Sequence, residues 1–355
     1  MSEDLSVGIA GYGLAGAVFH APLVAATPGL RMAAIVTGNA ERAAQAARDH
    51  PDARVVGSVE EMLAAGLDVV VVTTPNRHHV PVALAALEAG AAVVVDKPMA
   101  ATAADARRLA DEARRRHLLL TVFHNRRWDG DFLTVRRLRD EGRLGEVVRF
   151  ESRFERWRPE LAAGAWRELG SPEEAGGVLF DLGSHLVDQA IELFGPPASV
   201  YAEVAARRPD ARVDDDVFVA LEHPGGVRSH LWASAVAGAP GPRFRVLGLG
   251  AAYLKEGLDP QEAALRAGGR PGDPDWGRDE LDGRLVAGNA VATVPTERGA
   301  CEAFYAALVA AVRDGAPPPV SAEDGVRVVE ILEAARRSAE NGDVVALAPS
   351  PRAPE

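Results

Sequence analysis

Three stretches of this 355-residue chain carry residue types whose spacing could support chemistry. Residues 11–16 (GYGLAG) fit the pattern G-x-G-x-x-G, in which glycines let a backbone turn approach a phosphate group closely. Lys97 lies in an Asp-Lys-Pro sequence directly after an apolar run, where an ammonium group could face a ligand. Asp181 and His185 are spaced i, i+4, so a helix would place both side chains on one face. Together these stretches indicate phosphate binding and acid–base chemistry.

The glycine-rich stretch has the sequence context that dinucleotide binding requires. It follows a predicted strand at residues 5–10 and opens a predicted helix at residues 15–26, in the first of several strand–helix units. The glycines permit a tight turn, and the N-terminus of the helix presents amide groups to a pyrophosphate. Because of this position we favour dinucleotide binding over the alternative, a purely structural glycine turn.

The end of the second predicted strand, residues 31–36, favours NADP over NAD. Folds that bind NAD usually place Asp or Glu there, about 20 residues after the glycines, to accept hydrogen bonds from the ribose hydroxyls. Here Thr37 and Asn39 can donate hydrogen bonds to a 2′-phosphate, and Arg42 lies within reach. The first carboxylate is Glu41, whose negative charge keeps NAD open as the alternative.

Lys97 is one of only two lysines among 39 basic side chains. This chain uses arginine for almost all of its positive charges, so a lysine that remains is expected to do something that arginine cannot. Its ammonium group is compact, and its pKa can be shifted by the surroundings. In a doubly wound sheet, ligands bind outside the carboxyl ends of the strands. Lys97 is therefore predicted to face the reactive end of the cofactor, and the alternative is a surface lysine.

The spacing of Asp181 and His185 supports two interpretations equally. In the first, the imidazole accepts the proton of an alcohol, and the carboxylate orients the imidazole and stabilises its charge. In the second, Asp181 caps an ordinary polar helix and His185 is a hydrogen-bonded core residue.

Composition excludes several classes of function. The net charge of −12 disfavours nucleic acid as a partner, because a uniformly acidic surface repels phosphates. A single cysteine, Cys301, rules out a disulfide framework and a multi-cysteine metal site. No metal is predicted, since His78 and His79 are adjacent and need not converge on one ion. No apolar run reaches the ~18 residues of a membrane span, and residues 1–5 lack a signal-peptide pattern. We expect a cytoplasmic protein with a small-molecule substrate.

The elements that must position these residues form two predicted domains. Continuous apolar strands alternate with helices over the first ~120 residues, which is typical of a parallel sheet covered on both faces. After Asn125 the strands show period-two alternation, which predicts an antiparallel sheet with one wetter face. The prediction is a Rossmann domain at residues 1–123 and an α+β domain at residues 124–355 with a large, mostly antiparallel, open-faced sheet.

Further expectations concern the second predicted domain. Residues 260–282 are predicted to be a long loop, and the acidic run at residues 214–216 to lie on a solvated surface. The C-terminal helix, about residues 322–340, is predicted to pack back on the first domain. Because an open sheet face needs a partner, we expect a homodimer or homotetramer that pairs through it.

Several motifs, in order along nearly the whole chain, resemble a known family. Residues 74–79 (TPNRHH), Ala89-Gly90 and residues 96–98 (DKP) are similar to the series T-P-N-x-x-H, A-G, E-K-P of the glucose–fructose oxidoreductase/inositol dehydrogenase (Gfo/Idh/MocA) family. The segments that resemble its subgroup containing NADP-dependent scyllo-inositol dehydrogenases are residues 11–23, 125–129 (NRRWD), 156–159 (RWRP) and 257–262 (GLDPQE).

This resemblance implies that Asp181 and His185 are catalytic together with Lys97. The implied reaction moves a hydride between a nicotinamide and a secondary alcohol or ketone of an inositol, sugar or related polyol. A non-catalytic dinucleotide-binding sensor and a reductase of another carbonyl or imine substrate stay open as alternatives. The chain departs from the family pattern at Asp96, where glutamate is usual, and at Ala300-Cys301, where many relatives have an aromatic residue.

Two further groups of site residues complete the prediction. The residues predicted to bind the cofactor are Gly11, Gly13, Leu14, Ala15, Gly16, Thr37, Asn39, Arg42, Thr73, Thr74, Pro75, Asn76, His79, Asp96, Lys97 and Pro98. The residues predicted to line the substrate pocket are Asn125, Arg126, Trp128, Arg158 and Trp166. Donors and flat apolar faces suit polyols, although each of these five could equally be a core residue or a surface charge.

Overall fold

A computed structural model describes residues 3–161 and 174–348 of the chain. The chain divides into two compact units. The first unit contains the residues up to Trp128, Pro260–Gly277 and Ala300–Val326. The second contains Asp129–Asp259, Arg278–Gly299 and the residues from Arg327 onward. No helix in the described part of the chain is long and apolar enough to cross a membrane.

The elements occur in the following order. The strands are β1 (Leu5–Ala10), β2 (Leu30–Val36), β3 (Arg54–Val56), β4 (Val69–Val72), β5 (Ala92–Val95), β6 (Leu120–Val122), β7 (Val147–Glu155), β8 (Ser199–Ala205), β9 (Asp216–Glu222), β10 (Arg228–Ser234), β11 (Phe244–Gly248), β12 (Ala252–Lys255), β13 (Gly283–Ala287), β14 (Ala290–Val294) and β15 (Val345–Ala346). The α-helices are α1 (Ala21–Ala26), α2 (Ala40–Asp49), α3 (Val59–Leu63), α4 (His79–Glu88), α5 (Ala103–Arg116), α6 (Gly130–Asp140), α7 (Val178–Asp181), α8 (Gly183–Phe194), α9 (Gln261–Arg266), α10 (Ala303–Asp314) and α11 (Ala322–Asn341).

The sheet of the first unit is parallel and, within the described residues, has six strands in the order β3-β2-β1-β4-β5-β6. Every residue of β4 and β5 is buried, because helices cover both faces of a sheet of this kind. The strand order reverses between β1 and β4, which is the dinucleotide-binding Rossmann arrangement. The predicted fold of this part is confirmed.

Local capping explains where α2 and α5 of the first unit begin. The Asn39 side chain accepts a hydrogen bond from the Arg42 amide at the start of α2, at 2.9 Å. The Thr102 hydroxyl accepts one from the Asp105 amide at the start of α5, at 3.1 Å. Such caps satisfy amides that the helix itself leaves unpaired. A π-helical turn, Ala15–His20, precedes α1 and follows the glycine-rich stretch.

The second unit is built on a mostly antiparallel sheet, as predicted. Among the described residues it has nine strands in the order β14-β13-β12-β11-β7-β10-β9-β8-β15, and only the β7–β10 pair is parallel. Burial alternates along its strands: in β9, Val217 and Val219 are buried and Phe218 between them is half-exposed. One face therefore packs on a core while the other is wetter.

Two sequence expectations need correction, and some elements were not predicted. Residues 260–282 are not all loop, because Gln261–Arg266 form α9. Helix α6 and the hairpin of β13 and β14 were not predicted; nearly all of β14 is exposed, so its sequence shows no alternation. The acidic run at residues 214–216 is not simply a solvated face, because Asp215 is fully buried and pairs with Arg208 at 2.9 Å.

Candidate active site

The three glycines of residues 11–16 have different structural roles. Gly11 has φ of +107°, a backbone conformation that favours glycine and turns the chain after β1. A Cβ atom on Gly16 would collide with the carbonyl oxygen of Gly11, so only glycine lets the helix approach the strand. A Cβ on Gly13 would meet a single neighbour, Nη1 of Arg42, at 3.8 Å. Gly11 thus allows the turn, Gly13 leaves open space, and Gly16 allows close packing of helix and strand. These three roles fit the binding of a pyrophosphate.

The side chains around this loop hold its shape. Thr73 follows β4, and its hydroxyl donates a hydrogen bond to the carbonyl oxygen of Gly11, at 2.6 Å. Leu14 is 45% exposed and Ala15 half-buried, which leaves the outer side of the turn accessible. Thr73 therefore stabilises the turn through its hydrogen bond to Gly11.

Arg42, in the first turn of α2 after β2, lies close to the loop of residues 11–16. The Thr37 hydroxyl accepts a hydrogen bond from the Asn39 main-chain amide at 3.3 Å, and the Asn39 side-chain oxygen Oδ1 caps α2. Both Arg42 and Glu41 are exposed, but it is the Arg42 guanidinium that lies beside Gly13. A cation at this position suits an additional phosphate.

Lys97 lies in a turn that is stabilised by contacts with Asp96 and His79. Asp96 directly follows β5, and its Oδ1 accepts a hydrogen bond from the Lys97 amide at 2.8 Å. The peptide bond between Lys97 and Pro98 is cis. The buried ring of His79 has Nδ1 2.9 Å from the Pro98 carbonyl oxygen and Nε2 2.9 Å from the Thr74 carbonyl oxygen. His79 thus joins the Lys97 turn to the segment that includes Pro75 and the buried Asn76.

The Asp96 carboxyl is 8% exposed and carries its charge. Burial by itself would raise its pKa, but His20, Lys97 and His79 outweigh burial and hold the pKa of Asp96 well below its usual range. Asp96 is therefore an anion in the turn that carries Lys97, and the shorter side chain keeps the charge that the family glutamate supplies.

Asp181 and His185 do not lie on one continuous helix. Asp181 ends α7 and His185 lies in the first turn of α8, with Leu182 between the two helices. The His185 ring is 5% exposed and packs at 6.2 Å from the ring of Phe154. The N-cap residues of α7 and α8 are Gly177 and Leu182, and neither of these supplies a side-chain cap.

A distant residue, Asp214, holds the start of α7. Its Oδ2 accepts a hydrogen bond from the Leu179 amide at 2.6 Å, and its carbonyl oxygen accepts one from the Val178 amide at 3.0 Å. Gly177 has φ of +91°, and a Cβ there would collide with the Asp214 carboxyl. Burial raises the pKa of Asp214 despite the bond from Leu179. Its location in an acidic run, more than thirty residues from α7, gave no sequence signal for this role.

The predicted substrate residues lie in different surroundings. Asn125, Arg126 and Trp128 form a 3₁₀ turn in the first unit. Arg126 is buried and pairs with Glu262 at 2.6 Å, so its charge is neutralised within that unit. The ring of Trp128 meets Phe304 edge-on at 5.7 Å. Arg158 is exposed in the second unit.

Trp166 lies outside the described residues. Of the other predicted site residues, the first unit contains the whole cofactor group with Lys97, and the second unit contains Asp181 and His185. Sequence reasoning also missed two fully buried residues near Asp96, His20 and Tyr305. The only available signal for His20 was a histidine in the stretch directly after the glycines.

Comparison with known proteins places the chain in context. Residues 5–124 match the oxidoreductase family's NAD-binding Rossmann fold, and residues 136–347 match the family's C-terminal alpha/beta domain. The chain is 38% identical to the scyllo-inositol 2-dehydrogenase (NADP(+)) of Bacillus subtilis, over 97% of this chain and 96% of that protein. It is 42% identical to an oxidoreductase of Escherichia coli, over 98% and 100%.

Solved structures agree with these matches. The structure of an oxidoreductase from Yersinia pestis superposes with a TM-score of 0.92 at 38% identity, covering 99% of each chain. The family matches cover both units' characteristic sheets, and the relatives match from end to end. The chain therefore belongs to the Gfo/Idh/MocA family, as its motifs predicted, and is an oxidoreductase with an NAD-binding Rossmann domain.

Proposed function

We propose that this protein is an NADP-dependent dehydrogenase of an inositol or a related polyol or sugar. The observation that carries the proposal is the end-to-end similarity to the scyllo-inositol 2-dehydrogenase (NADP(+)) of Bacillus subtilis. A second relative, the D-glucoside 3-dehydrogenase of Escherichia coli, is 32% identical over 56% of the chain. Both names describe oxidation of an alcohol carbon in a ring rich in hydroxyl groups.

The preference for NADP rests on the loop of residues 11–16 and on Arg42. The open space at Gly13 suits a pyrophosphate, and the Arg42 guanidinium lies beside it. Guanidinium groups form strong, charge-assisted hydrogen bonds with phosphate, whereas NAD would offer only ribose hydroxyls at this place. Thr37, where folds that bind NAD usually carry a carboxylate, does not repel a 2′-phosphate.

The proposed catalytic residues act on the substrate hydroxyl. The bound nicotinamide supplies the hydride acceptor for the alcohol carbon, or the hydride donor in the reverse direction. His185 takes the hydroxyl proton as general base, and Asp181 orients the imidazole or the substrate. The Lys97 ammonium stabilises the negative charge that develops on the oxygen. The substrate carbon thereby loses a hydride and the oxygen a proton, which leaves a ketone.

Asn125, Trp128 and Arg158 are proposed to contribute to substrate binding. Trp128 offers a flat apolar surface, and Arg158 is an exposed donor. Arg126 contributes less charge than its residue type suggests, because Glu262 already neutralises it. Hydrogen-bond donors beside a flat apolar surface suit a polyol.

A spectrophotometric screen tests the proposal. Inositols, aldoses and sugar acids are offered with NADP and with NAD, and ketones with the reduced cofactors. We expect cofactor reduction with at least one inositol or sugar, and a higher kcat/KM with NADP than with NAD. If no polyol or sugar reduces either cofactor and no ketone oxidises its reduced form, the chain is better explained as a dinucleotide-binding sensor.

A further inference from the structure

His20 is a buried histidine close to Asp96, in the turn that contains Lys97. His20 is fully buried, and its ring packs against Phe123 with the ring centroids 4.1 Å apart. Its Nδ1 lies 2.6 Å from the hydroxyl oxygen of Tyr305, and its Nε2 lies 3.9 Å from Oδ1 of Asp96. All of these residues belong to the first unit.

The Tyr305 hydroxyl determines which ring nitrogen of His20 carries hydrogen. Tyr305 is fully buried, and burial together with the negative charge of Asp96 raises the pKa of its phenol well above the usual value. The phenol therefore keeps its hydrogen, and Nδ1 of His20, 2.6 Å from the phenol oxygen, is placed to accept it. A neutral imidazole that accepts at Nδ1 carries its own hydrogen on Nε2, the nitrogen on the side of Asp96.

Asp96 connects this pair to Lys97. Its Oδ1, the oxygen nearest His20, is the same atom that accepts the hydrogen bond from the Lys97 amide. The orientation of the Asp96 carboxylate therefore affects the position of the Lys97 main chain. On the other side, the Ala21 amide bonds to the Gly16 carbonyl oxygen, five residues back, and this widened turn ends at the buried His20.

We propose that His20 and Tyr305 are positioning residues for Lys97. Tyr305 fixes the hydrogen of His20 on Nε2, and this N–H turns its positive end towards the Asp96 carboxylate 3.9 Å away, an electrostatic contact longer than a hydrogen bond. The carboxylate in turn fixes the turn from which the Lys97 ammonium reaches the reacting oxygen. The inference rests on the role proposed above for Lys97. The network is not a proton path, because Tyr305 is fully buried and the chain of groups ends in the core.

Tyr305→Phe tests the proposal, since it removes only the hydroxyl and leaves the ring packed against Phe123. We expect kcat to fall by about 10-fold, because small misplacements of a catalytic group are costly, with KM for the substrate and Kd for NADP near wild type. Tyr253→Phe is the matched control. Tyr253 is also fully buried, lies in the second unit, and its hydroxyl has no hydrogen-bond partner among the described residues.

A double-mutant cycle with Lys97→Ala separates positioning from a general structural effect. If Tyr305 acts through Lys97, Tyr305→Phe should cause no further loss of kcat once Lys97 is alanine. Equal losses in both backgrounds, or a wild-type kcat for Tyr305→Phe, would overturn the inference. A Lys97→Ala enzyme as fast as wild type would instead overturn the proposed role of Lys97 itself.

Nitrogen NMR of the histidine-labelled protein without cofactor gives a readout independent of activity. The His20 signals are assigned by their absence in His20→Gln. We expect hydrogen on Nε2 and none on Nδ1 in the wild type, and a shift of both signals in Tyr305→Phe. A His20 ring with its hydrogen on Nδ1 would contradict the proposed arrangement.

Discussion

Lys97 and Lys255 are the two lysines of the chain, and their environments differ. Lys255 is fully buried; its ammonium lies 2.9 Å from the Asp279 carboxylate and 2.7 Å from the Glu256 carbonyl oxygen. Lys97 is half-buried, at the carboxyl end of a parallel strand. The scarcity of lysine therefore indicated a special environment for both residues. Lys97 is the candidate catalytic group because it follows a strand of the parallel sheet, whereas Lys255 ends a strand of the antiparallel sheet and is structural.

Lys97→Arg keeps the charge but replaces a compact ammonium with a broad guanidinium. If Lys97 contacts the reacting oxygen, the new group is misplaced by about an ångström, and kcat should fall by about 100-fold or more. Affinity for NADP, measured by fluorescence titration, should stay near wild type because the loop of residues 11–16 is untouched. A turnover within a few-fold of wild type would remove Lys97 from the catalytic residues.

The same substitution at Lys255 is the control. A guanidinium does not fit the closed site between Asp279 and the Glu256 carbonyl, so Lys255→Arg should lower the melting temperature. The kcat of the enzyme that remains folded should be unchanged. The two variants then distinguish an effect on chemistry from an effect on stability.

Arg42 is the residue on which cofactor choice is predicted to depend. Arg42→Ala should raise the Kd for NADP by about 10-fold or more, since hydrogen bonds to charged groups contribute about 1.5–3 kcal/mol. The Kd for NAD should change little. Arg48→Ala, an exposed arginine in the last turn of the same helix, is the control and should leave both values unchanged. Equal losses for NADP and NAD would mean that Arg42 contacts the shared part of the cofactors.

At the level of elements, local patterns predicted what local interactions determine. Side-chain caps within three residues mark the starts of α2 and α5, and short apolar runs form β4 and β5. The start of α7 could not be predicted in this way, because its amides bond to Asp214, which is distant along the chain. The i, i+4 spacing of Asp181 and His185 gave no sign of the break at Leu182.

Asp214 also makes stability depend on pH. Its pKa is raised above the usual 3.8 in the folded state, so the folded protein binds more protons than the unfolded chain in the window above that value. The free energy of unfolding contributed by Asp214 is therefore present at low pH and is lost as pH rises through the raised pKa. Asp214→Asn cannot ionise, and its amide oxygen can still accept the Leu179 bond.

We expect Asp214→Asn to gain stability relative to wild type as pH rises from about 4 to about 7. Urea unfolding at several pH values measures the difference. Asp216→Asn is the control, because Asp216 is half-exposed and only 3.6 Å from Arg207, a weak surface pair. Unfolding free energies of Asp214→Asn and wild type that run parallel over this range would contradict the prediction.

At the scale of the whole molecule, the change from continuous to alternating strands separated the two sheets correctly. Strand order within the second sheet could not be predicted, because β7 pairs with β10 and β11, which lie far along the chain. Pairing at such distances depends on the assembled core and leaves no local signature. The alternation did predict a face that is only partly covered, and the structure has one.

The outer face of the second sheet mixes aromatic and charged groups. Phe218 and Trp232 pack with ring centroids 5.1 Å apart, and the Arg153 guanidinium lies 3.9 Å from the centre of the Trp232 ring. Arg153 also pairs with Glu151, which is buried among arginines. Beside them lies a shallow pocket of about 330 Å³ lined by Phe218, Trp232, Glu203, Arg207 and Asp216. Aromatic residues and arginine are enriched at protein interfaces.

We propose that two copies of the chain pair through this face, as a homodimer or as part of a homotetramer. Such pairing would bury the half-exposed Phe218 and Trp232, and association through one self-complementary surface closes with two-fold symmetry. Light scattering at micromolar concentration should therefore give at least twice the mass of one chain. Trp232→Glu places a charge in the apolar part of the face and should shift the protein towards monomer. Leu249→Glu changes an exposed leucine in the turn after β11 and should leave the mass unchanged. A wild-type monomer, or an equal effect of both variants, would show that this face is not the interface.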